Sequence, residues 1–211
     1  MTKRSIFCVF LLMMTLTAGS AAAYTFDLKY EFDGVLPVLT YGTVDVTPSG
    51  DDLLFIITVD TTTVLGTNAD IHELYFNLTF EPTNLAITAD NHPNNAYTLL
   101  GPNPSVAGGA GASFDWGVSF GNGGGPAGNR ILQYASFTLS ADEALSVSDL
   151  FELSYPNNVS PVNVAVHFQG TATSPGSETI GGYHHTPLPG AMWLLGSGLL
   201  GLVGLRRKLR S

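Results

Sequence analysis

The sequence predicts an all-β fold: a single β-sandwich with jelly-roll or Greek-key strand order, flanked by an N-terminal signal peptide and a C-terminal transmembrane helix. Three observations predict it. Short apolar–polar alternations recur along the middle of the chain, clusters of Gly, Pro and Asn separate them, and each end pairs an uncharged apolar run with basic residues. Period-two alternation is the signature of a half-buried strand, and the intervening residues are turn formers.

Residues 1–23 read as a secretory signal peptide. Lys3 and Arg4 open it, an apolar run from Ile6 to Leu16 follows, and Ala21 and Ala23 take the −3 and −1 positions of a cut before Tyr24. The run is too short to span a bilayer. The chain's one cysteine, Cys8, leaves with this segment, so the mature chain is expected to carry no thiol, disulfide or thiolate metal site.

Residues 24–170 form the expected extracellular domain. In "YTFDLKYEFD" the alternation puts Tyr24, Phe26, Leu28, Tyr30 and Phe32 on one face. The pattern returns at Leu74-Phe76-Leu78-Phe80, Phe114-Trp116-Val118-Phe120 and Val162-Val164-Val166-Phe168. "DLLFIITVD" and "ILQYASFTLS" are less regular but rich in β-formers, and turn clusters such as "TPSGDD" and "GNGGGPAGN" stand between strands. Many short strands at near-regular spacing indicate the sandwich. "SADEALSVSDLFEL" is expected to hold a short helix capped by Ser140 or Ser148. Residues 171–186 are expected to supply a last strand near Glu178–Ile180 and then a tether.

Charge is partitioned sharply. The chain has eight Lys+Arg and seventeen Asp+Glu, a net of −9. Between Tyr24 and Thr186 only Lys29 and Arg130 are basic while all seventeen acids are present, so two bases against seventeen acids leave −15. Such a surface repels phosphate backbones, which argues against nucleic acid as a partner.

Motifs for chemistry are poor, and no enzyme activity is expected. Gly123, Gly125 and Gly128 satisfy G-x-G-x-x-G, but a strand-like segment follows where a dinucleotide site needs a helix. His72-Glu73 begins like a zinc-protease helix, yet Phe76 stands where the second His belongs. His184-His185 read as part of a solvated tether, and His167 falls on the polar side of its strand as a surface histidine. No cofactor is expected. Asp51-Asp52, and Asp90 with Asn91, Asn94 and Asn95, offer oxygen ligands suited to Ca²⁺, but neither loop has the Asp-x-Asp-x-Asp-Gly spacing, and turns are the simpler reading. Asn77-Leu78-Thr79 and Asn158-Val159-Ser160 match the N-glycosylation triplet by chance. Trp116 is expected in the core; Tyr24, Tyr30, Tyr41 and Tyr97 are the less constrained aromatics available to a sugar-stacking surface.

The tail, residues 187–211, explains the terminal charges. Seventeen uncharged residues, Pro189 to Leu205, precede Arg206, Arg207, Lys208 and Arg210. At about 1.5 Å per residue a helix over 189–205 covers about 25 Å, a marginal span of a hydrocarbon core of about 30 Å. The basic cluster stays on the cytoplasmic side. Positive charge is thus confined to the two ends that handle membrane topology.

Pro187-Leu188-Pro189-Gly190, the glycine-rich apolar run and Arg206-Arg207-Lys208 resemble the C-terminal signal of PEP-CTERM proteins. Leu188 takes the place of the Glu in that family's name-giving form. "FDWGVSFGNGGGPAGNR", Phe114 to Arg130, and the segment onward to Gly170 are similar to the β-domains of many such proteins. The resemblance implies Sec export, signal peptidase, and processing by exosortase, a membrane protease of Gram-negative bacteria. It implies a location in the inner membrane, transient or as a single-pass anchor, and then at the cell surface or in an extracellular matrix, with a link to exopolysaccharide and biofilm. A carbohydrate-binding or adhesive module and a secreted glycan hydrolase are the rival functions for the domain.

Overall fold

Most described stretches of the body in which β-branched and aromatic residues alternate with polar ones form strands, although some alternations, such as 77–80, run past a strand's end. The computed structural model describes residues 23–32, 34, 36–89, 97–108, 112–121, 131–155, 160–173 and 176–184. They form ten strands: β1 (Tyr24–Glu31), β2 (Gly42–Ser49), β3 (Asp52–Val59), β4 (Asp70–Phe76), β5 (Ala86–Ala89), β6 (Thr98–Leu100), β7 (Trp116–Ser119), β8 (Tyr134–Ser140), β9 (Val164–Gln169) and β10 (Ser177–His184). Residues 1–22 of the expected signal peptide, the span expected over 189–205 and the sorting residues lie outside the described residues. Among the described residues no helix is long and apolar enough to cross a membrane.

The class is all-β, as expected, but the described strands join one antiparallel sheet rather than two separate ones. Its order is β5-β8-β3-β2-β1-β10-β9-β4-β7-β6. The edge strands β5 and β6 approach each other, so the sheet nearly closes on itself. Curling brings non-neighbouring strands face to face. Phe55 of β3 meets Phe76 of β4 with ring centroids 5.7 Å apart, and Phe120 meets Phe137 of β8 at 6.1 Å. The enclosed core includes Phe26, Leu28, Val44, Val46, Ile57, Leu74, Val166 and Ile180, all fully buried. Burying aliphatic and aromatic side chains at roughly 1.5–3 kcal/mol each is the main force holding the curl.

β2 and β3 meet in a two-residue turn between Ser49 and Asp52, with Gly50 at φ +69°, a backbone region that suits glycine and matches the strand twist. This is the "TPSGDD" cluster, although Thr47 and Pro48 lie within β2.

Two corrections follow from local geometry. β1 does not keep its aromatics on one face. A bulge between Leu28 and Tyr30 re-aims the strand, so Phe26 and Leu28 enter the main core while Tyr30 and Phe32 turn to the other side of the sheet. There they join Tyr75, Ala112, Phe114, Val162 and Ala165 in a second, smaller core. The expected helix over 140–153 is a single 3₁₀ turn, Val147–Phe151, entered through Ser146, whose N–H donates to the Asp149 carboxylate at 2.8 Å. Only Val147 and Leu150 of that turn are buried, too few apolar contacts to sustain a longer helix.

The largest departure concerns the C-terminal side. The strand expected near Glu178–Ile180 runs Ser177–His184 and lies inside the sheet, paired with β9 on one side and β1 on the other. Residues beyond 170 are therefore integral to the sheet, and the expected tether is largely strand.

Candidate functional site: the end of the sheet where the chain leaves

Tyr24 opens β1 and His184 closes β10, and antiparallel pairing sets them side by side at one end of the sheet. The His184 ring stacks on Phe151 at 3.9 Å and lies 5.0 Å from the Tyr24 ring. Two buried asparagines lock the segment between them. Asn163 accepts the His184 N–H at 2.9 Å and donates to the Phe151 carbonyl at 3.0 Å. Asn77, fully buried, donates to the Leu153 carbonyl at 3.0 Å and accepts the Asp115 N–H at 2.7 Å. Side-chain amides suit this work because each carries both a donor and an acceptor. His184 thus belongs to the fold and not to a solvated tether.

The second bridge leads into an open cleft of about 310 Å³, lined by Leu78, Phe80, Glu81, Pro102, Asn103, Asp115, Trp116 and Glu152. Trp116 packs on the core, as expected, but is only half-buried and also forms a wall of this cleft. Its indole packs on the backbone of Gly101; a Cβ there would sit 2.4 Å from the ring, so only glycine fits. Burial, then Glu152 and Glu81, raise the Asp115 carboxyl above the ordinary carboxylate value. The exposed Tyr155 donates to Glu152 at 3.3 Å. Three carboxylates, an amide and an indole make a wall rich in acceptors, suited to hydroxyls or cations and hostile to anions.

On the outer face of the sheet, His167 is buried, against the expectation of a surface histidine. Its strand does point it to the polar side, but residues 105–108 cover that side. Thr179 donates its hydroxyl proton to the Ala107 carbonyl, so its oxygen must accept from His167 Nδ1–H at 2.9 Å, which fixes the neutral tautomer. Around the imidazole stand the ring of His72 at 5.8 Å on β4, Glu73 on β4, Thr179 on β10 and Gly108 of the covering loop. Tyr75 donates to Glu73 and accepts the Ala107 N–H at 3.2 Å, which holds the loop from its other side.

Burial holds the His167 pKa below its ordinary 6.5, with Glu73 opposing and His72 assisting the shift. Below about pH 6.5 the unfolded chain takes a proton at this residue while the folded chain still resists, so acid favours unfolding. Above that value both states are neutral and the group contributes nothing. The urea midpoint of the mature chain is therefore expected to fall between pH 7 and pH 5, and to fall less in His167→Gln. An equal fall in both chains would show that His167 does not carry the effect.

The remaining sequence candidates scatter. Tyr41 is fully buried in the core, and Tyr24, Tyr30 and Tyr97 are half-buried. They form no exposed row, and the exposed tyrosines among the described residues are Tyr134 and Tyr155. Asp51 and Asp52 sit at the β2–β3 turn. Asp90, Asn91, Asn94, Asn95, Asn158, His185 and the glycine loop 123–128 lie outside the described residues. Among the described residues no three His, Cys, Asp or Glu side chains converge as a metal site requires. Asn77 is sealed inside the folded domain, so its glycosylation triplet is inaccessible. Ala23 is exposed immediately before β1, at the expected signal-peptide cut. Ala21, Pro187, Leu188, Pro189, Gly190, Arg206, Arg207 and Lys208 lie outside the described residues.

An all-β body whose last strand runs directly into a proline–apolar–basic tail has the architecture of an exported protein with a C-terminal sorting segment. Residues 185–208 match the PEP-CTERM protein-sorting motif. The match supports export and processing by exosortase, with the C-terminus engaging the membrane. No curated protein and no solved structure matches the chain.

Proposed function

We propose that this chain is a non-enzymatic cell-surface or extracellular-matrix protein of a Gram-negative bacterium, linked to exopolysaccharide or biofilm. The sorting motif at 185–208 carries the reading. The acidic body supports it: a segment of net −15 suits life outside the membrane and leaves the bases to the termini. We read the curled sheet as the jelly-roll form of a sandwich, on the strength of the Phe55–Phe76 and Phe120–Phe137 contacts. The test is intact-mass analysis of surface-released protein from strains with and without exosortase. The expected result is a chain ending before Ser211 only where the enzyme is present. A tail retained through Ser211 in both strains would remove the sorting reading.

A second reading, a carbohydrate-binding module, draws on the cleft around Trp116 and Asp115. Its ligand would be a neutral or cationic glycan, since Glu81, Asp115 and Glu152 repel uronates and sulfates. Retention of the mature chain on such a polymer, lost in Trp116→Ala, would favour it. Release of reducing ends would instead turn the reading to a hydrolase.

A further inference from the structure

We propose that docking of β10 gates removal of the sorting tail, so that processing acts on the chain while the end of β10 is undocked. The inference rests on the sorting reading above and concerns how the folded domain controls it.

β10 ends at His184, the sorting match begins at 185, and only His185 and Thr186 separate the sheet from Pro187. Two residues span at most about 7 Å. A protease receives its substrate as a single extended strand with residues on both sides of the cut. For a cut close to Pro187, that demand falls at once, on the N-terminal side, on residues built into the sheet.

Those residues are held from several directions. His184 pairs with Phe26 across the β1 ladder. Its N–H is taken by Asn163, and its ring is stacked on Phe151 beside Tyr24. Tyr183 pairs with Asp27, and Gly182 pairs with both Leu28 and Val164. Chain in this state is cut through its locally opened form, at a rate set by how often that form appears.

Export supplies the opening. β10 is the last strand to cross the membrane, yet its place is inside the sheet, between β1 and β9. The sheet cannot close on this strand until the body has been exported, at which point the tail is already at the bilayer. Tail removal and β10 docking then compete for the same residues.

The experiment compares the full chain with a version carrying a flexible Gly/Ser linker of about eight residues, about 15 Å of mean reach, between His184 and His185. Both β10 and the matched motif stay intact. Precursor-to-mature conversion is followed by pulse-chase in an exosortase-bearing host. The linker chain is expected to convert at least about threefold faster. Asn163→Ala, which loosens the grip on His184, is expected to speed conversion in the native-length chain and to leave the linker chain unchanged. Equal rates for native-length and linker chains would overturn the gate, as would an Asn163→Ala effect of the same size in both. Retention of the tail in every chain would overturn the sorting reading itself.

Discussion

Replacing Phe55 with alanine is expected to lower the unfolding free energy of the mature chain by about 3–5 kcal/mol, a large share of the roughly 5–15 kcal/mol typical of a domain. Phe55 is fully buried in β3. It stands opposite Phe137 in the β8 ladder, with the rings stacked 4.8 Å apart at 7°. It also touches Phe76 of β4, which belongs to the other half of the sheet. Truncation therefore removes a cross-strand stack and a contact that keeps the curl closed, and the rigid strands around it can collapse only partly into the gap. In urea the midpoint should fall with little change in slope, because the surface exposed on unfolding is nearly the same. Tyr155→Ala, at a residue 55% exposed, serves as the comparison and should stay within about 0.5 kcal/mol. Similar losses in the two variants would mean that the ring cluster does not hold the halves together.

The tail was legible in the sequence because its signals are contiguous: a Pro-Leu-Pro-Gly start, an uncharged run and a basic stop within one stretch of chain. Long, clean alternations were legible for the same reason, as in the segments that became β1, β4 and β9. β2 was not, although Val44 and Val46 alternate, because Gly42 and the Thr47-Pro48 pair disguise its ends as turn. β5 and β6 have four and three residues, too short for a period to register. The bulge in β1 leaves no trace in composition, so the alternation alone puts Tyr30 and Phe32 on the wrong face. The alternation gives His167 the correct side of its strand, but a segment that reads as solvent-exposed turn covers that side.

The cleft lay beyond sequence reasoning for a different reason. Its walls come from residues 78–81, 102–103, 115–116 and 152, four separate stretches that only the curl unites. Asn77 and Asn163 look like ordinary turn or strand-edge residues until their partners, 76 and 12 residues away, are in view. Asn77 takes a polar slot of the Leu74-Phe76-Leu78-Phe80 alternation, so the sequence gives no warning of it, and its full burial is what marks it as a structural hydrogen-bonding residue.

Asn77 is where the second large effect is expected. Asn77→Ala should cost about 2–4 kcal/mol, because it leaves the Asp115 N–H and the Leu153 carbonyl without partners and opens a small cavity. Asn77→Asp separates these contributions. An ionised aspartate can still accept from the Asp115 N–H, but it turns a second acceptor toward the Leu153 carbonyl and brings an unpaired charge into a fully buried site. A protonated aspartic acid can donate to that carbonyl again. Burial would therefore raise the new carboxyl's pKa in the folded chain, so its contribution is greatest in acid and is lost as pH rises through that folded value. Thermal unfolding of the two variants should show Asn77→Asp close to the wild type at low pH and the less stable of the variants at neutral pH. Asn77→Ala should show a deficit that barely changes with pH. Parallel curves for the two would mean that the amide only fills space. The bridge from β4 to the segment after Phe151 would then have to rest on the neighbouring apolar contacts, leaving Asn163 as the buried amide that supports the clamp around His184.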